Sequence, residues 1–204
     1  LQPFLTQVNC NIGTLSFYRL LPVLLPLAFE GSYVIKLHGG RKPLADIFIK
    51  AGIIKPTYIF RDPRDALLSA YEYGERMRSR GKTNAFTLLT TIEEAILFME
   101  EYVQIAKGWL RLEPVLAVKY EDLLLAYDRT TGALLDYLGC DPASPSIKDV
   151  IGRYRPGQGD PDQAGTHFVK GKIGRHRDLF SGREKEICRE KFGPFLEKWN
   201  YSDL

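Results

Sequence analysis

The run Thr57-Tyr58-Ile59-Phe60 ends abruptly at Arg61, and Asp62-Pro63-Arg64-Asp65 then leads into a helix-like stretch that presents Ser69 eight residues after the arginine. No other segment constrains the fold as much. Four apolar, aromatic and β-branched residues read as a buried parallel strand, and Pro63 fits only a turn or the first turn of a helix. Arg61 therefore falls at the carboxyl edge of a sheet, which is where open α/β sheets bind ligands. A guanidinium there offers a planar fork of donors suited to phosphate. A plainer reading stays open on these residues alone: a structural turn in which Asp62, Arg64 and Asp65 pair among themselves.

Strand and helix signals alternate along the chain, as in a parallel sheet wrapped by helices. Phe4 to Val8 reads as a strand, Thr14 to Leu27 as a helix bent by its prolines, Tyr33 to Leu37 as a strand and Leu44 to Ala51 as a helix. After Thr57 to Phe60, a helix from Arg64 to Arg80 is expected to stop at Gly81. The clearest helix is Ile92 to Leu110, where Ile92, Ala95, Ile96, Met99, Tyr102, Val103 and Ala106 form one apolar stripe and Thr91 with Glu94 supplies a capping box. Those positions are core. Val115 to Tyr120 has strand composition and places Tyr120-Glu121-Asp122 on the ligand edge, Leu123 to Leu138 reads as a helix, and Arg183 to Tyr201 as a closing helix with Trp199 buried. The glycine-rich segment Tyr154 to Gly174 has little periodicity, and a long loop inside a compact domain is usually functional or mobile.

Composition fits one α/β domain over residues 1–204. The 204 residues are 45% hydrophobic and 26% charged, ample for a core, and a formal net charge of +3 is too small to argue for general nucleic-acid binding. Cys10, Cys140 and Cys188 are scattered without metal spacing, so no metal site and a reducing, cytoplasmic setting are expected. The apolar stretch Leu20 to Phe29 contains Pro22 and Pro26 and is too short for a membrane span, and no signal-peptide pattern opens the chain. A first residue of Leu1 rather than Met suggests an excised domain or a trimmed chain.

Four segments in order resemble the sulfotransferase superfamily. The Arg61 to Ser69 turn is similar to its 3′-phosphate-binding segment, and Val34-Ile35-Lys36-Leu37-His38 to the strand ending in Lys-x-His that carries its base. Val118-Lys119-Tyr120-Glu121-Asp122-Leu123 resembles its Tyr-Glu-Asp-Leu segment, and Phe168-Val169-Lys170-Gly171-Lys172-Ile173-Gly174 its Phe-Arg-Lys-Gly-x-x-Gly segment. Each is weak alone, but their order and spacing are specific, and they span about residue 32 to the C-terminus.

The resemblance implies a P-loop-NTPase-like α/β fold and sulfonate transfer from 3′-phosphoadenosine 5′-phosphosulfate to a hydroxyl or amine of a small-molecule acceptor, leaving adenosine 3′,5′-bisphosphate. It assigns Arg61 and Ser69 to the 3′-phosphate, Lys170 and the amides around Gly171 to the second wall of that cradle, and Tyr120 to the adenine. His38 becomes the base that takes the acceptor's proton. Its reference pKa of about 6.5 leaves much of it neutral at working pH. Lys36, two residues earlier on a strand, projects to the same face and can stabilise charge.

Two departures matter. Val169 stands where the family has an arginine, so Lys172 or Arg175 would have to compensate. The family's 5′-phosphosulfate loop, of the Pro-Lys-Ser-Gly-Thr-Thr-Trp type, has its nearest match at Asn9 to Ser16; Gly13 and Thr14 fit the Gly-Thr pair, but Asn11 replaces the lysine. A catalytically impaired nucleotide-binding or interaction domain is therefore the alternative. A P-loop kinase would need a Gly-Lys-Ser/Thr run, which the chain lacks. The segments Gly74 to Phe86 and Tyr154 to His167 are the candidate acceptor loops, and neither the acceptor nor the oligomeric state is legible.

Overall fold

The computed structural model describes residues 34–157 and 171–201, which gather into two compact units. The expected elements Phe4 to Val8 and Thr14 to Leu27, and with them Gly13 and Thr14, lie outside the described residues.

One unit comprises 34–56 with Ile105–Val115. The expected strand Tyr33 to Leu37 is reduced there, among its described residues, to a single bridge at Lys36. Helix α1, Pro43–Lys50, follows, with proline in its first turn, where the missing N–H costs nothing. Its Ala45 and Ile49, one helical turn apart, are buried.

The other unit comprises Thr57–Gln104 and the described residues from Leu116 onward. Strand β1, Thr57–Phe60, pairs in parallel with β2, Leu116–Lys119, in the register Thr57 to Leu116 through Phe60 to Lys119. Parallel neighbours need a crossover, and it is helical. Helix α2, Pro63–Ser79, leaves β1 directly, its N-terminus capped by the Asp62 carboxylate, which accepts from the Arg64 amide at 2.9 Å. A 3₁₀ turn at Ala85–Leu88 then packs on α2 at Gly74, where a Cβ would lie 2.1 Å from the Phe86 carbonyl oxygen. Only glycine permits that approach.

Helix α3, Ile92–Trp109, carries the expected stripe: Ala95, Ile96, Met99, Val103 and Ala106 are all buried. Its N-terminus is the expected capping box, with Glu94 N–H donating to the Thr91 hydroxyl at 3.1 Å and Thr91 N–H to the Glu94 carboxylate at 3.1 Å. After β2, the single helix expected from Leu123 to Leu138 is instead two: α4, Tyr120–Leu125, and α5, Tyr127–Leu138. The helix starts earlier than expected because Tyr120 has already left the ladder, so β2 ends at Lys119. Helices α6, Pro145–Arg153, α7, His176–Leu179, and α8, Gly182–Lys198, complete the described chain. The last begins at a second capping box, Ser181 with Glu184, and contributes Cys188, Phe192, Phe195 and Leu196 to the core.

The chain beyond α8 is fastened to the strand ends. Phe60 packs against Trp199 at 4.5 Å and edge-on to Phe195 and Tyr201 at 6.2 and 6.4 Å between ring centres. Trp199 is half-buried rather than buried, and the sealed aromatic is Tyr201. Beside them the Lys119 ammonium donates to the Trp199 carbonyl and lies 4.3 Å from the centre of the Tyr201 ring.

Candidate functional site

Arg61 and Tyr120 each follow the last residue of a parallel strand, so the register that pairs Phe60 with Lys119 also brings these two together. The Arg61 guanidinium carbon stands 4.8 Å from the centre of the Tyr120 ring, a cation–π arrangement. Its Nε is buried with no hydrogen-bond partner among the described residues, while the side chain as a whole keeps 24% exposure. An orphaned buried donor is costly, and a ligand oxygen would satisfy it. Tyr120 is half-buried, and burial, more than its charged neighbours, raises its hydroxyl pKa.

The expected mutual pairing of Asp62, Arg64 and Asp65 is half right. Asp62 and Arg64 pair at 2.7 Å, and the same guanidinium donates to the Tyr201 carbonyl at 2.5 Å. Asp65 does something else. It is 2% exposed, accepts from the Gly174 amide at 2.6 Å and from the His176 amide at 3.2 Å, and lies 3.0 Å from His176 Nδ1. Since an ionised carboxylate can only accept, that ring nitrogen carries the proton. Burial alone would raise the Asp65 pKa, but the bonds from the His176 ring and the two amides outweigh it and hold the carboxyl below its ordinary value. The carboxylate oxygen that accepts from Gly174 is also 3.7 Å from the Arg61 guanidinium.

A second tie binds the same turn. Arg175 forms a bidentate pair with Glu72, one arm at 3.1 Å, so it is already engaged and does not stand free to replace the arginine lost at position 169. Asp65, Ser69 and Glu72 recur at four- and three-residue steps along α2 and therefore share one face. Ser69 is the exposed member, set between the two carboxylates that hold the 171–176 turn. That turn needs its glycines: Gly171 and Gly174 have φ of +54° and +77°, in the left-handed region that residues with a Cβ avoid. Lys172 is exposed, and Lys170 lies outside the described residues.

Behind the arginine, Glu121 is 8% exposed and accepts from the Asp62 amide at 3.0 Å and the Tyr201 hydroxyl at 2.9 Å. The middle residue of the Tyr-Glu-Asp segment thus ties both strand ends to the C-terminal segment. Burial and the adjoining Glu121 carboxylate push the Tyr201 hydroxyl pKa well up, so it stays a donor.

In the unit of residues 34–56 with Ile105–Val115, His38 and Lys36 are exposed. The backbone after His38 is pinned. The Trp109 indole donates to the Gly39 carbonyl at 3.1 Å, and Arg41 donates to the Gly108 carbonyl at 2.8 Å while pairing with Asp46 at 2.7 Å. Partial desolvation, followed by the nearby Lys36 charge, lowers the His38 pKa below its ordinary value of 6.5. The neutral, proton-accepting form is favoured.

Arg61, Ser69, Tyr120 and Gly171 thus belong to one unit, in which Arg61 and Tyr120 meet, and Lys36 with His38 to the other. Sequence reasoning missed Asp65, Glu72, His176 and Glu121. Their signal was thin: carboxylates at helical spacing after Arg61, and a histidine two residues past a glycine. Among the described residues no group of His, Cys, Asp or Glu could hold a metal ion, and no helix is long and apolar enough to cross a membrane.

Comparison with known proteins bears on this geometry. Residues 44–155 match the model of the sulfotransferase domain. Among solved structures, mouse sulfotransferase SULT7A1 complexed with PAP aligns over 90% of this chain and 76% of its own, with a TM-score of 0.61 and 17% identity. Retinol dehydratase, solved with androsterone and inactive cofactor PAP, aligns over 93% of this chain with a TM-score of 0.54 and 20% identity. The chain spans only 63% of that enzyme's length. No curated protein sequence matches the chain. The structural neighbours share the α/β fold, and the domain match covers more than half of the residues: the chain belongs to the sulfotransferase domain family.

Proposed function

We propose that the domain transfers a sulfonate group from 3′-phosphoadenosine 5′-phosphosulfate to a hydroxyl or amine of a small-molecule acceptor. The observation that carries this reading is Arg61. Its Nε is buried and orphaned among the described residues, in a guanidinium that follows the last residue of a parallel strand, stands over the Tyr120 ring and lies 3.7 Å from the Asp65 carboxylate that accepts from the Gly174 amide, and a phosphate oxygen would complete its hydrogen bonding. The solved relatives support the same donor, since those of SULT7A1 and retinol dehydratase were obtained with PAP. Retinol dehydratase also holds androsterone or retinol, which favours a small apolar alcohol as the acceptor.

Each residue then has a role. Arg61 gives charge-assisted bonds to the 3′-phosphate, Ser69 adds a neutral donor, and the amides of the Gly171 turn, with Lys170, close the cradle. Tyr120 offers a ring face to the adenine. Lys36 supplies positive charge to the departing phosphate and, by lowering the pKa of His38, keeps that imidazole ready to accept. His38 takes the acceptor's proton as the acceptor atom forms its bond to sulfur. The bond from sulfur to the bridging oxygen breaks, and its electron pair leaves with adenosine 3′,5′-bisphosphate. Gly13 and Thr14 are proposed to face the 5′-phosphosulfate.

The test is sulfonate transfer from labelled donor to a panel of phenols, aliphatic alcohols, amines and sugars, with nucleotide affinity measured on the same preparation. Transfer to at least one acceptor, dependent on the 3′-phosphate of the donor, is expected. Tight nucleotide binding with no transfer to any class would overturn the enzyme reading.

A further inference from the structure

Arg61 can hold a phosphate only if its partners leave it available, and the glycine turn can close on that phosphate only if something fixes a backbone with two left-handed residues. One side chain addresses both needs. The Asp65 carboxylate spends one oxygen on His176, through ring and backbone, and the other on the Gly174 amide, and it still stands 3.7 Å from the Arg61 guanidinium. At that distance it attracts the guanidinium without forming a hydrogen bond to it. The Arg61 Nε is buried and has no hydrogen-bond partner among the described residues.

We infer that Asp65 is the positioning residue of the 3′-phosphate cradle: it fastens the Gly171–His176 turn to α2 and aims the Arg61 guanidinium, with His176 as its buried partner. The inference rests on the donor reading proposed above. The pair is too well sealed to touch a ligand itself: Asp65 and His176 are 2% and 4% exposed. Ser69, one helical turn beyond Asp65, stays exposed on the same face of α2, and the Glu72 to Arg175 pair holds the turn at a further point along that face. Asp65 therefore acts on the ligand through Arg61 and through the turn's backbone. It uses an acceptor-only group because every partner around it is a donor.

The carboxamide of Asp65→Asn keeps the shape but replaces one acceptor oxygen with a donor that faces N–H groups. Calorimetry on wild type and variants should compare adenosine 3′,5′-bisphosphate with adenosine 5′-monophosphate, which lacks the 3′-phosphate. Asp65→Asn is expected to lower affinity for the bisphosphate by about 10- to 100-fold, the scale of one lost charge-assisted hydrogen bond, and to leave the monophosphate within about twofold. Amide exchange at Gly174 and His176 should also accelerate in the nucleotide-free variant, while α3 stays protected. His176→Phe, which keeps both backbone bonds, covers the case in which Asp65→Asn does not fold. It should lose about tenfold for the bisphosphate alone, and His176→Asn, which restores a donor, should recover most of it. Equal losses for both nucleotides, or none for either, would overturn the positioning role. Wild-type protein that does not distinguish the two nucleotides would overturn the donor reading itself, and the inference with it.

Discussion

The Arg61 guanidinium lies 4.8 Å from the centre of the Tyr120 ring because two parallel strands of four residues end in register. The pair links what the sheet does to what a ligand would meet: the strands deliver a cation and an aromatic face side by side. Glu121, adjoining Tyr120, accepts from the amide of Asp62, which follows Arg61, so the segments leaving the two strands are braced against each other.

Removing the guanidinium should therefore cost binding and little stability. Arg61→Ala is expected to weaken adenosine 3′,5′-bisphosphate by roughly 2 to 3 kcal/mol, a lost charge-assisted interaction with phosphate. Arg61→Lys should recover only part of this, since an ammonium cannot reproduce the planar fork. Calorimetry that finds wild-type affinity in a folded Arg61→Ala protein would take the 3′-phosphate away from this strand end.

Ser69 is exposed on the α2 face between Asp65 and Glu72, so its hydroxyl can serve a ligand as a neutral donor. Ser69→Ala should cost about 1 kcal/mol of bisphosphate affinity and leave the melting temperature unchanged. A loss of stability instead would mean that the hydroxyl serves the fold.

Elements with local signals were legible in the sequence. The stripe and capping box of α3, the proline start of α2 and the strand at Thr57 to Phe60 each depend on neighbours in sequence, and each is where it was expected, although of the strand expected to be buried only Phe60 is, and Ile59 is 60% exposed. The two strands and their parallel pairing followed from the same pattern. What failed was set by partners far away in the chain. Asp65 looked like one more charge in an Arg-Asp turn, and only the fold brings Gly174 and His176 to it. Glu121 looked like part of a ligand motif, whereas its bonds go to Asp62 and Tyr201. The helix expected from Leu123 begins at Tyr120 because the ladder ends at Lys119, a limit set by the length of the partner strand and not by local composition.

Tyr201 and Glu121 give a stability prediction. Tyr201→Phe removes one of two donors to a buried carboxylate without changing ring packing on Phe60 and Phe195. A loss of roughly 1.5 to 3 kcal/mol in urea unfolding is expected, as for hydrogen bonds to charged groups. Glu121→Gln in the Tyr201→Phe background should then cost less than in wild type, because the two changes share one contact. Additive losses would show that the hydroxyl and the carboxylate act separately.

Two glycines in helices should respond in opposite directions. Alanine at Gly74 would place its Cβ 2.1 Å from the Phe86 carbonyl oxygen, so α2 and the 3₁₀ turn must separate. Despite the helix-propensity gain, a net loss of about 1 to 3 kcal/mol is expected. A Cβ at Gly108 would meet nothing within 4 Å among the described residues, and Gly108→Ala should raise stability by up to about 1 kcal/mol. Thermal unfolding of the two variants in parallel checks both signs, and a stabilised Gly74→Ala would contradict the close approach.

The role of His38 is tested by the pH dependence of transfer. A base must be neutral to accept a proton, and desolvation with the Lys36 charge holds this imidazole below its ordinary pKa of 6.5. The rate should therefore rise with pH through an acid limb centred below 6.5 and level off above it. Lys36→Ala removes one cause of the depression, so the acid limb should move up toward 6.5 while the plateau rate falls. His38→Asn should abolish the limb and lower turnover by about 100- to 10,000-fold, with bisphosphate affinity retained. If the acid limb survives unchanged in the His38→Asn protein, another group is the base, and Lys36 loses its assigned part along with it.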